Sequence, residues 1–180
     1  DLQKDAGELL LGKTASGEIL LTLADDALDG SVAAALDFPQ SEEDTCFSVV
    51  TQKGALMVYD YALMEWRFVH QPAGYRVLSA CWDQSGDSLL IACSDHCARI
   101  ISAFGVVTAE LPAANALEDA HFAADDNLIL LESFNAVQIY SREAGEASVS
   151  MVTSIEKQLP SRLLSCAFTP DSSRIALLYE

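Results

Sequence analysis

An all-β fold built from repeated units is what this sequence predicts, on three observations. Phe38, Trp82, Phe122 and Phe168 recur at intervals of roughly 40–46 residues. Each closes a short apolar run and precedes a polar turn and a second apolar run. Turn signals rich in Gly, Asp, Asn and Ser come about every 8–12 residues, which leaves little room for helices of ordinary length. A short-stranded repeat of this period is the signature of propeller blades. The expectation is therefore an all-β β-propeller of four-stranded antiparallel blades.

The elements follow from period-two alternation and turn chemistry. Glu8 to Thr14 and Glu18 to Leu23 form a hairpin around Ser16-Gly17, where Gly supplies the positive-φ position. Asp25 to Gly30 is a polar connection. Strands are expected near 31–38, 45–52, 55–61 and 65–70, turning at Gln40 to Asp44 and at Lys53-Gly54. Further strands fall near 76–82, 88–94, 98–104 and 106–111, with turns at Gln84 to Asp87, Asp95-His96 and Gly105. A third set lies near 117–123, 127–133, 136–141 and 147–153, turning at Ala124 to Asp126, Phe134-Asn135 and Ala144 to Glu146. Two last strands, near 162–168 and 174–179, are joined by Thr169 to Ser173. Residues 1–28 thus read as the end of a blade, 29–72, 73–114 and 115–158 as full blades, and 159–180 as the start of another.

Two segments carry a helical alternative. Ser31 to Leu36 and Ala113 to Ala123 are rich in helix-favouring residues. Sixteen strands would also close as four blades, the two ends sharing one. The chain stops in mid-repeat after Tyr179, which favours about three and a half blades of a larger propeller and a longer parent polypeptide.

Composition excludes several classes of function. The chain is 51% hydrophobic, ample for a packed core, and 21% charged, too few charges for disordered tails. No apolar run reaches the roughly 18–20 residues needed to span a bilayer. The net charge is −17, and the ten basic residues stand singly. Direct nucleic-acid binding needs clustered Lys and Arg against phosphates, so none is expected; nor is membrane insertion. Five cysteines, an odd count, read as reduced thiols of an intracellular protein, in cytoplasm or nucleus.

Several phrases resemble WD-repeat propeller blades. Cys166-Ala167-Phe168-Thr169-Pro170-Asp171-Ser172-Ser173 and Ala80-Cys81-Trp82-Asp83-Gln84-Ser85-Gly86-Asp87 are similar to the family's aromatic-Ser-Pro-Asp-Gly turn. Met57-Val58-Tyr59-Asp60 stands in the place of its apolar-apolar-Trp-Asp. Arg99-Ile100-Ile101-Ser102 and Gln138-Ile139-Tyr140-Ser141 are weaker copies, and Leu10 to Leu23 resembles a blade's outer hairpin. Tyr59, Ile101 and Tyr140 replace the family's Trp, and no Gly-His pair precedes an inner strand. The expected blades therefore lack most of the family's Asp-His-Ser-Trp network and are held mainly by apolar packing.

Site chemistry is sparse. Cys93, His96 and Cys97 have no second ligand pair of the kind that completes a zinc site, so no metal is expected. No Gly-x-Ser-x-Gly elbow and no phosphate-binding Gly loop occurs, and His70, His96 and His121 lie in unrelated contexts. His121, next to Phe122, reads as packed. Trp66, Phe68, Tyr61 and Tyr75 read as core rather than as a partner hot spot. No catalytic residue and no cofactor is expected. The acidic loops Glu42, Glu43, Asp44 and Asp125, Asp126 remain, either as solvated turns or as a face that steers a basic partner. Their shared offset from Phe38 and Phe122 puts them on one face.

The function these features imply is a non-enzymatic protein–protein interaction scaffold, a subunit of an intracellular hetero-complex with protein partners that carry basic surfaces. Two alternatives stand beside it: the propeller portion of a larger enzyme, and an acidic-face reader of basic peptide motifs.

Overall fold

The computed structural model describes residues 9–12, 19–23, 33–40, 45–142, 148–157 and 162–180. The expected turns at Ser16-Gly17 and Ala144 to Glu146, the connection from Asp25 to Gly30, and the acidic residues Glu42, Glu43 and Asp44 lie outside them. Strands β1 (Leu9–Gly12) and β2 (Ile19–Leu23) form a hairpin. Sheet I holds β3 (Ala33–Asp37), β4 (Cys46–Thr51), β5 (Leu56–Asp60) and β6 (Glu65–His70). Sheet II holds β7 (Val77–Trp82), β8 (Ser88–Cys93), β9 (Cys97–Ser102) and β10 (Val107–Pro112). Sheet III holds β11 (Leu117–Phe122), β12 (Leu128–Ser133), β13 (Ala136–Arg142) and β14 (Val149–Glu156). A hairpin of β15 (Leu163–Phe168) and β16 (Ile175–Tyr179) follows.

Every sheet is an antiparallel meander whose strands pair in sequence order. Among the described residues there is no helix. The two segments with helical character are strands: the alanine run of β3 is claimed by its ladder to β4, and residues 117–122 pair with β12 as β11. Propensity is a weak prior that such pairing overrides.

Burial grades from the middle of each sheet outwards. Strands β4 and β8 are buried on both faces, as their unbroken apolar character requires, whereas β6 alternates exposed and half-buried residues. One apolar cluster joins sheets I and II through Val58, Leu56, Trp82, Leu89 and Ile91, with Phe68 and Tyr75 against it. A second joins sheets II and III through Leu90, Ile100, Leu111, Ile129 and Leu131. A third seats Ile175, Leu177 and Tyr179 of the last hairpin on Val137 and Ile139. Trp66 and Tyr61 pack on Phe47 and Tyr59. All four of the aromatics weighed as a hot spot are thus engaged in the core.

Buried polar groups also hold the sheets. Asp60 accepts hydrogen bonds from Thr45, Arg67 and the amides of Ala62 and Leu63. Burial alone would raise its carboxyl; the Arg67 guanidinium and the other donors outweigh it and hold the group below the ordinary value. Arg99 is bidentate to Asp95, reaches Glu110 at 2.9 Å and lies 3.9 Å over the Tyr75 ring. Tyr140 donates its hydroxyl to the Pro112 carbonyl at 2.6 Å, tying sheet III to sheet II. The expectation of mainly apolar cohesion is therefore amended. Carboxylate–arginine groups add polar cohesion to the apolar clusters.

Candidate functional site

The strand order puts the ends of β3, β7, β11 and β15 at one end of the molecule, and the ends of β5, β9 and β13 share it. The amides of Tyr61, Ala103 and Arg142 donate to the carbonyls of Thr45, Asp87 and Asn127, tying the two sets of strand ends together within each sheet. The four aromatic anchors all arrive on this face, because each is the last residue of its inner strand or the one after it.

Strands β3 and β7 are each locked to the next inner strand through the side chain just before the anchor. Asp37 Oδ2 accepts the Trp82 amide at 2.8 Å. Cys81 Sγ accepts the Phe122 amide; burial pushes this thiol up to about 12, and the contact only partly offsets it. A thiol so placed stays protonated at neutral pH and is no nucleophile. His121, the third residue of this set, is half-buried rather than packed in apolar surroundings. Its Nε2 lies 3.2 Å from Glu132 and 3.4 Å from Asp119.

The turns repeat one device. Gly86, Asp126 and Ser172, each the fourth residue after its anchor, all take a positive φ. The Gln84 amide donates to both carboxylate oxygens of Asp126, and the Ser172 hydroxyl donates to Asp125. Asp125 and Asp126, two of the five acidic residues expected to share one face, each bond to a neighbouring repeat. Burial raises the Asp126 carboxyl, with Asp83 and Asp125 adding to it. Asp83, itself buried, ties its own turn together and pairs with Arg142 at 3.2 Å across the junction of sheets II and III.

Two cavities open between these elements. The first, of about 240 Å³, is lined by Asp37, Phe38, Trp82, His121, Phe122 and Asp126 among others. The second, of about 540 Å³, continues past Phe122 to Cys166, Phe168 and Pro170. Sequence reasoning found the aromatic anchors and Asp126 but passed over Asp37 and Cys81. The signal available was their shared position immediately before an anchor. Among the described residues, no three of His, Cys, Asp and Glu converge in a way that could hold a metal ion. Cys93 and Cys97 face each other across the β8–β9 ladder, both thiols raised by burial.

The sheet arrangement is matched among solved structures. One chain from a crystal structure of the mitotic checkpoint complex superimposes with a TM-score of 0.73 at 16% identity. The match covers 94% of the present chain and 50% of the other, so this chain spans half the length of its structural neighbour. The fold is a partial β-propeller. No family model and no curated protein matches the chain. In all, 1115 solved chains match, and a fold so widely shared does not by itself select a function.

The propeller's inner-strand histidine carries a pH prediction. The Glu132 contact raises the His121 pKa, and burial opposes it without reversing it. A raised folded pKa stabilises fully below the unfolded value near 6.5 and is lost as pH rises through the folded one. Thermal melts of the wild type should therefore fall between neutral and mildly alkaline pH. His121→Gln should flatten that dependence, and an unchanged pH profile in the variant would count against the pairing.

Proposed function

We propose that the chain is a divergent WD-repeat-like propeller segment that serves as a non-enzymatic binding platform in an intracellular multiprotein complex. The observation that carries this reading is the apolar surface on the turn face. Phe104 is 80% exposed at the tip of the β9–β10 turn, and Leu63, Met64 and Val106 are exposed on that turn and its counterpart in sheet I. The β9–β10 turn lies against β6, since a Cβ at Gly105 would meet Phe68 at 3.0 Å. Large apolar side chains gathered on projecting turns cost solubility in a free monomer and mark a protein contact. The neighbour from a multiprotein assembly supports the same reading by fold alone. Chemistry gains no comparable support: the thiols beside the cavity are raised by burial, and no metal-holding group is present among the described residues.

Phe104→Ser with Leu63→Ser tests the platform. Both positions are solvated, so stability should change by no more than about 0.5 kcal/mol. Recovery of partners from native extract should fall sharply. A wild-type chain that elutes as a free monomer at every salt concentration would remove the reading.

A further inference from the structure

We propose that the cavity between the ends of β3, β7 and β11 receives a lysine or arginine side chain of a partner polypeptide. The cation would sit between the carboxylates of Asp37 and Asp126, against the rings of Phe38 and Phe122. This rests on the binding-platform reading and names the chemistry of one contact within it.

The cavity has the size and the charge for such a guest. Its volume of about 240 Å³ far exceeds the ~10–15 Å³ that one water requires. Among the described residues, its lining holds two carboxylates and no lysine or arginine. Among the described residues, Asp37 uses one oxygen on the Trp82 amide, and both oxygens of Asp126 accept the neutral Gln84 amide. The arginine that acts on Asp126, Arg142, is committed to Asp83 and Ser88 and lies 5.4 Å from the centre of the Phe122 ring. The remaining titratable lining group, His121, is shared between Asp119 and Glu132. A cation entering from outside thus meets negative charge and aromatic faces together, the combination that stabilises guanidinium and ammonium groups.

The shape of the cavity points to a peptide rather than a free ion. The second cavity shares Gln40, His121, Phe122, Ala123 and Ala124 with the first, so the two form one groove with room for flanking residues. A bare divalent cation would need a convergent ligand set that the described residues do not offer.

The test is an NMR titration of the isotopically labelled chain with N-acetyl-arginine methylamide, N-acetyl-lysine methylamide and the neutral citrulline analogue. The basic probes should shift the backbone amides of Trp82, Gln84 and Phe122, and citrulline should bind at least about fivefold more weakly. Asp37→Asn and Asp126→Asn keep an acceptor oxygen for the amides they serve, and each should weaken the basic probes by a similar factor. Equal binding of citrulline, no shift at tens of millimolar probe, or full affinity in both variants would overturn the proposal. Partner recovery separates this from the platform reading. Partners retained undiminished by Asp37→Asn/Asp126→Asn leave the platform standing and remove the cation site. Wild type that recovers none removes the platform, whatever the titration shows.

Discussion

Gly54→Ala is expected to destabilise the fold by about 3 kcal/mol, lowering the melting temperature by roughly 6–12 °C in a chain of this size. Gly54 lies in the turn between β4 and β5 with φ near +84°, a conformation L-residues adopt only with strain. A Cβ there would stand 2.3 Å from the Arg76 Cβ and 2.9 Å from its Cα, so a flexible side-chain end cannot simply move aside. The Gly54 carbonyl also accepts the Val77 amide, which seats the first residue of β7 against sheet I. Displacing this turn therefore disturbs the junction of two sheets. Urea unfolding would check it, and a loss below about 1 kcal/mol would mean that the junction yields more easily than its geometry indicates.

Asp83→Ala should cost about 3–4 kcal/mol. Asp83 Oδ1 accepts the Ser85 hydroxyl and the amides of Asp87 and Ser88, all within 3.0–3.1 Å. Its Oδ2 faces Arg142, which also reaches the Ser88 hydroxyl. Alanine would leave two amides and a largely buried guanidinium short of partners at once. Asp83→Asn keeps an acceptor for the turn and removes the charge, so about half the loss should remain. A double-mutant cycle with Arg142→Met would isolate the pair, and additive single losses would show that the two residues are not coupled.

The strand layout was legible because its signals are local. Alternation marks β6, and Gly86 and Asp126 stand where their turns need a positive φ. Strand β14 runs on to Glu156, past its expected end, because the Asn135 side chain donates to the Lys157 carbonyl and to Glu156, extending the ladder from Ala136. No local pattern announces that contact. The site was less legible for the same reason. Asp37 reads as an ordinary acid before an aromatic. Its role appears only when sheet II is placed beside sheet I and the Trp82 amide, 45 residues away, meets its carboxylate. His121 looks like a packed residue until β12, which sets Leu130 opposite it, also brings Glu132 within 3.2 Å of its ring. The resemblance set Asp60 in the place of an apolar-apolar-Trp-Asp phrase, but it could not show that the residue would be buried with Arg67 as its partner.

Each cross-sheet bond named above reaches one sheet over and no further. Cohesion of this kind is a sum of nearest-neighbour terms, so opening need not be all-or-none. Sheet II, gripped on both sides, should surrender its amide protons to deuterium last. The β15–β16 hairpin, held along one flank by Leu163, Leu177 and Tyr179, should exchange earlier. The molecule would then loosen as a graded series along its length, and the aromatic end of the groove formed by Phe168 and Pro170 would belong to its more pliant part.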